Sequence, residues 1–218
     1  MILRMMETGP LMVNCYILGD EETKETAVVD PGGDAGKIIK VLDEIGLKLK
    51  FILNTHTHWD HVGGNAELAE LTGAPVVTHR DEAPALEHAN ERAGMFGYSA
   101  TVSSSSDFVE EGDTLMIGDT RLEVIDLRGH SPAGLGFVLE AEIDLEGGRE
   151  RKKMVICGDA LFAGSIGRTD FPGGDMPLLL KNIRDKIFSL PDDTLVLPGH
   201  GPVSTVGQEK RHNPFFRN

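Results

Sequence analysis

From Asn54 to His61 the chain reads Asn-Thr-His-Thr-His-Trp-Asp-His, which sets three imidazoles and one carboxylate within six positions. Imidazole nitrogen and carboxylate oxygen are ligands for borderline divalent ions, zinc first among them. The density carries the signal, because a single histidine on a polar loop is ordinary. Phe51-Ile52-Leu53, just before the cluster, is an apolar run that reads as a buried strand. With the backbone extended to residue 58, His56 and His58 point to one side. The stretch Val62 to Leu68 reads as a turn running into a helix. Asp60 and His61 then fall where strand becomes helix, turned to another side. One strand end can thus offer ligands to two ions.

Further ligands are needed, and the second half of the chain supplies them. Leu127-Arg128-Gly129-His130, Val155-Ile156-Cys157-Gly158-Asp159 and Val196-Leu197-Pro198-Gly199-His200-Gly201 each read as a strand end that closes on a polar residue flanked by glycine. Glycine permits sharp turns and close backbone approach. A lone histidine after a strand is usually structural. Three such ends in a chain that also holds the 56–61 cluster argue for a common site. The set is His56, His58, Asp60, His61, His130, Asp159 and His200. It suffices for two ions with a shared carboxylate.

The elements that must position these residues follow from pattern. The chain has 218 residues, 40% of them hydrophobic and 26% charged, which suits one globular domain over 1–218 with no visible linker. Residues 1–30 read as consecutive strands, including 12–18 and 26–29. Helices are expected over 37–45, 65–71 and 81–89, and strands at 50–53 and 75–78. Pro84 is tolerable in a first helical turn. Ser103-Ser104-Ser105-Ser106 reads as a flexible surface connection. Strands follow at 114–117, 121–127, 136–142 and 154–157, with a polar turn at 146–149, then a helix over 178–190 and a strand at 194–197. This order of strands and helices, given twice, suggests two mixed sheets packed face to face with helices outside.

Composition narrows the partners. A formal charge of −14 disfavours nucleic-acid backbones. No apolar run is long enough for a bilayer, and the first residues lack the core of a signal peptide, so a cytoplasmic location is expected and no membrane partner. Cys15 and Cys157 are expected to be buried thiols rather than a disulfide or metal site. His79, His88 and His212 show no partners in sequence. Ala163-Gly164-Ser165-Ile166-Gly167 lacks the first glycine of a nucleophile elbow and no helix pattern follows it, which sets a serine hydrolase aside.

The succession His-x-His-x-Asp-His, Gly-His, Gly-Asp, Gly-His along the whole chain resembles the metallo-β-lactamase superfamily. Asp30-Pro31-Gly32-Gly33, Gly167-Arg168-Thr169-Asp170-Phe171-Pro172-Gly173-Gly174-Asp175 and Pro198-Gly199-His200-Gly201-Pro202-Val203-Ser204-Thr205 resemble, within it, the short glyoxalase II enzymes, the hydroxyacylglutathione hydrolases. The resemblance implies an αββα four-layer sandwich. It implies His56, His58 and His130 on one ion, Asp60, His61 and His200 on a second, and Asp159 between them. It departs at Arg128-Gly129-His130-Ser131-Pro132-Ala133-Gly134, where the family has a proline first and a histidine last. The chain also lacks the C-terminal helical domain with which long glyoxalase II enzymes hold glutathione.

The activity expected is hydrolysis of a glutathione thioester such as S-lactoylglutathione by a metal-bound hydroxide. Two divalent ions are expected, zinc first, with iron and manganese as alternatives. Asp60 would orient the hydroxide as the catalytic residue. Arg168 would meet a substrate carboxylate, or else pin its own loop. Trp59 packs against the loop. Competing readings are a persulfide dioxygenase with one iron on His56, His130 and Asp159, a lactone or phosphodiester hydrolase on the same scaffold, and a non-catalytic metal-binding module.

Overall fold

Consecutive strands at the start of the chain pair as the sequence pattern suggests. The computed structural model describes residues 1–145 and 147–217. Its strands are β1 Ile2–Thr8, β2 Val13–Gly19, β3 Glu25–Val29, β4 Lys48–Leu53, β5 Val76–Thr78, β6 Asp107–Phe108, β7 Thr114–Ile117, β8 Thr120–Asp126, β9 Leu135–Leu145, β10 Gly148–Gly158, β11 Leu161–Phe162, β12 Ser165–Ile166, β13 Leu195–Pro198 and β14 Ser204–Thr205. The helices are α1 Ala35–Ile45, α2 Trp59–Val62, α3 Asn65–Thr72, α4 Ala89–Gly94, α5 Met176–Asn182 and α6 Val206–His212.

Strands β1 to β6 form one mixed sheet in sequence order, and the second runs β14-β13-β10-β9-β8-β7. Side-chain alternation assigns the faces. On β2, Tyr16 and Leu18 enter the core between the sheets, where they join Leu53, Val124, Phe137 and Ile156. Cys15 and Ile17 point the other way, into a second core with Ile38, Leu42 and Leu68 of α1 and α3. On β10, Met154 and Ile156 face inward, while Val155 and Cys157 pack under Leu179, Ile183 and Ile187. A strand buried on both faces reads as a near-continuous apolar run, and β2, buried throughout, does so apart from Asn14, whose amide donates to the Pro198 and Gly201 carbonyls. Helix, sheet, sheet and helix thus stack as an αββα sandwich of two mixed sheets.

Some local expectations give way. The 81–89 helix begins as a 3₁₀ turn over Ala83–His88 and becomes helical only in α4. The 178–190 helix is α5 followed by a π turn over Ile183–Ile187. Ser103–Ser106 is pinned at its end, because the Ser106 amide and the Ser105 hydroxyl both donate to the Val76 carbonyl at 3.0 Å. Of the 146–149 turn, Glu146 lies outside the described residues, while Gly148 and Arg149 already pair with β9. Cys15 and Cys157 are free, buried thiols. No helix among the described residues is long and apolar enough to cross a membrane.

Candidate metal centre

Strand β4 stops at Leu53, and residues 54–58 form a loop that enters α2 at Trp59. Two hydrogen-bonded groups shape that loop. Asp30, 1% exposed, accepts from the Thr55 amide at 2.8 Å and from the Thr55 hydroxyl at 2.6 Å. Glu82 accepts from the Thr57 amide at 3.1 Å and from its hydroxyl at 2.6 Å. The loop departs from the extended run expected to residue 58, yet His56 and His58 still converge, with ring centroids 4.6 Å apart and edge to face. Asp60 and His61 lie in the helical turn, as expected.

The second sheet brings the rest. His130 follows β8, Asp159 follows β10 and His200 follows β13. Gly199 shows why glycine flanks these ends: a Cβ there would collide with Asp159 Oδ1 and lie 2.7 Å from His61 Cε1. All seven residues meet at the edge shared by the two sheets. His56 Nε2 and His130 Nε2 each lie 3.0 Å from His58 Nδ1. Tetrahedral zinc holds its nitrogens about 3.4 Å apart, given a Zn–N bond of about 2.05 Å. Asp60, His61 and His200 form a second group, with His200 Nε2 3.3 Å from Asp60 Oδ2. Asp159 sits between the groups. Its Oδ2 is 3.7 Å from both His130 Nε2 and His200 Nε2, and its Oδ1 is 3.4 Å from His61 Nε2.

Hydrogen-bond partners on the far side of each ring fix where the lone pairs point. His130 Nδ1 lies 2.8 Å from the Arg168 carbonyl, so it donates there and Nε2 keeps its lone pair. The Thr55 hydroxyl gives its proton to Asp30, so its oxygen accepts from His56 Nδ1 at 3.1 Å. His56 Nε2 is then also a bare acceptor. His61 Nδ1 donates to Asp30 at 3.1 Å, and its buried Nε2 makes no hydrogen bond, nor does buried Asp159 Oδ1. Burial first, then the neighbouring imidazoles, holds His56 well below the usual histidine value and His58 down to about 4. Burial would also lower His61, but the carboxylates of Asp159 and Asp60 outweigh it and raise that ring. His56 and His58, held toward the neutral form and aimed inward, together with His61 beside two carboxylates that draw positive charge, are a donor set that fits divalent cations.

Arg168 is exposed and engaged. Its Nε and Nη2 each contact Asp170 at 2.7 Å, and its guanidinium lies 3.7 Å from the centre of the Phe171 ring. The loop-pinning alternative is therefore realised in its side chain, and its carbonyl holds His130. Phe171 meets His58 edge to face at 5.9 Å and continues to Phe96 at 6.3 Å. Trp59 packs as expected, stacked on Tyr98 at 5.2 Å. A cavity of about 610 Å³ opens on the far side of Trp59, lined also by Gly9, Pro10, Asp34, Ser99 and Thr101. Arg128 bonds Asp126 through Nε at 2.6 Å and steadies the turn before His130. Ser165 lies in the short strand β12, and its hydroxyl meets only the Ile166 carbonyl among the described residues. Sequence reasoning assigned no role to Asp30, Thr55, Glu82 or Phe171, although Asp30 stands in the Asp-Pro-Gly-Gly break, Thr55 in the 54–61 cluster and Phe171 in the glycine-rich 167–175 stretch.

Comparison with known proteins agrees with this geometry. The family model of the metallo-beta-lactamase superfamily matches residues 8–200. The hydroxyacylglutathione hydrolase GloC of Haemophilus influenzae is 38% identical over 94% of this chain and 93% of its own. The mitochondrial persulfide dioxygenase ETHE1 of Homo sapiens is 32% identical over 98% of this chain and 75% of its own. Among solved structures, the BLEG-1 B3 metallo-beta-lactamase superposes with a TM-score of 0.86 at 34% identity, covering 100% of both chains. TTHA1623 in a di-iron-bound form gives 0.82 at 36% identity, covering 97% of this chain and 99% of that one.

Proposed function

The chain belongs to the metallo-beta-lactamase superfamily, and from that premise we propose that it hydrolyses a glutathione thioester of the S-lactoylglutathione type. The observation that carries the choice is the second ligand group. A mononuclear dioxygenase would need only His56, His130 and Asp159. Here Asp60, His61 and His200 also converge, and Asp30 fixes the His61 tautomer. Effort spent on orienting that second group supports a dinuclear hydrolase.

His56, His58 and His130 would hold one divalent ion, Asp60, His61 and His200 the other, and Asp159 would touch both. When bound, such ions supply Lewis acidity, lowering the pKa of a water to about 7 and polarising a carbonyl oxygen. The residues do the rest. Asp60 accepts a proton from the attacking water or holds its orientation through the carboxylate oxygen that does not face His200. The Arg168 carbonyl, through His130 Nδ1, keeps that ring from turning. Phe171 and Phe96 give the site an apolar wall against which the acyl group can lie. Arg168 offers a glutathione carboxylate only the edge of its guanidinium left by Asp170. In the net reaction a C–O bond to water oxygen replaces the C–S bond, and the leaving sulfur ends with a proton.

The glutathione identity of the carrier is supported by the 38% identity to GloC. Metal analysis of anaerobically purified protein, paired with thioester cleavage and oxygen uptake on glutathione persulfide, tests the reading. Two ions per chain and thioester turnover are expected. One iron with oxygen consumption would refute it.

A further inference from the structure

We propose that Glu82 is a positioning residue for the three-histidine group, a clamp that holds the His56–His58 loop and the His130 loop at one fixed separation. The inference rests on the metal assignment and not on the choice of substrate.

Glu82 is 3% exposed, and its two oxygens serve different loops. Oε2 accepts from the amide and hydroxyl of Thr57, the residue between His56 and His58. Oε1 accepts from the Ala133 amide at 2.9 Å, three residues after His130. All the donors are N–H or O–H groups, so a carboxylate fits and an amide does not: glutamine would turn an NH₂ toward one loop's donors. The clamp stands on a third segment, the start of the 3₁₀ turn after β5, which belongs to the first sheet. His130 comes from the second sheet. Glu82 therefore spans the seam across which His130 must meet His56 and His58, at the 3.0 Å spacing observed. Asp60, His61 and His200 receive no hydrogen bond from it among the described residues. Its effect should be confined to one ion.

Groups that orient ligands from behind are worth about 10- to 100-fold in metal affinity. The test is zinc titration against a chromophoric chelator in two backgrounds. His200→Ala leaves the three-histidine group whole, and His58→Ala leaves the other. Glu82→Ala and Glu82→Gln should weaken zinc by at least 10-fold in the His200→Ala background and by less than about 3-fold in the His58→Ala background. Thr57→Val, which removes one hydroxyl and keeps the amide, should show a smaller loss with the same selectivity and covers the case in which Glu82→Ala fails to fold. Melting of the metal-free proteins is recorded alongside. Equal weakening in both backgrounds, or lower melting with zinc affinity unchanged, would overturn the proposal and reduce Glu82 to a scaffold residue.

Discussion

Replacing Asp30 should damage the centre more than its position behind the ligands suggests. Its carboxylate serves three donors at once: the Thr55 amide, the Thr55 hydroxyl and His61 Nδ1. Asp30→Ala strands the amide and the imidazole N–H in a fully buried site. Each stranded donor costs about 1–3 kcal/mol, so the metal-free protein should lose roughly 2–6 kcal/mol. The Thr55 hydroxyl has another outlet, His56 Nδ1 at 3.1 Å. Donating there moves the His56 proton to Nε2, the nitrogen that faces the other ligands. Asp30 also has φ 50, a left-handed conformation that Asn adopts more readily than Ala. Asp30→Asn is therefore the cleaner variant. It keeps the backbone and one acceptor, and should lose only about 1–3 kcal/mol. Its NH₂ would face His61 Nδ1 and push that ring to the wrong tautomer, lowering zinc affinity about 10- to 100-fold. Urea melts of metal-free protein give the first quantity and chelator competition the second. Wild-type zinc affinity in folded Asp30→Asn would refute the tautomer argument.

Asp60→Ala should keep its fold while thioester turnover falls by two orders of magnitude or more, about the contribution of positioned acid–base chemistry; near-normal kcat in metal-loaded Asp60→Ala would contradict its role. For Arg168, the ion pair with Asp170 halves the fork available to substrate, so Arg168→Ala should raise KM by only a few-fold, as expected for an exposed contact, with kcat nearly constant. Asp170→Asn should lower KM by freeing that fork, and steady-state kinetics on one thioester settles both. The Arg168 hydrogen bond holds the Asp170 carboxyl down to about 2, so the pair is complete above the usual carboxylate range and lost only as pH falls through about 2; KM should not change between pH 7 and 5 through loss of this pair. Burial pushes the Cys15 thiol well up and the Cys157 thiol up to about 12, so neither should react with a thiol reagent at pH 8 until the chain is unfolded, as a colorimetric thiol count in native and denatured protein would show.

Much of this centre is legible in sequence because metal ligands are distinctive residue types set at strand ends. Apolar runs locate β4, β10 and β13, and the polar residue after each is displaced to the sheet edge by geometry alone. The groups that orient the ligands are harder to see. Glu82 lies 25 positions from Thr57 and 51 from Ala133, and nothing local separates it from any acidic residue near a helix start. Arg168 was legible as a cation near the site, while its partner two residues away decided what that cation can do. Short strands such as β6, β11, β12 and β14 have two residues each, too few for alternation to register. The π turn after α5 depends on packing over β10 and β13 rather than on local propensity.

The seam between the sheets also sets a schedule for synthesis. Four of the seven ligand-type residues have been synthesised by residue 61, but His130, Asp159 and His200 follow across the next 139 positions. A nascent chain can therefore offer ions an early, incomplete set on the first sheet, and the set stays incomplete until β13 and His200 have been made. Each later ligand arrives behind a strand that must add to the second sheet before its side chain can reach the edge. Completion of the centre is thus a report that the last of those strands has joined. An ion caught too soon by His56, His58 and His61 would hold a half-built domain open to the wrong partners.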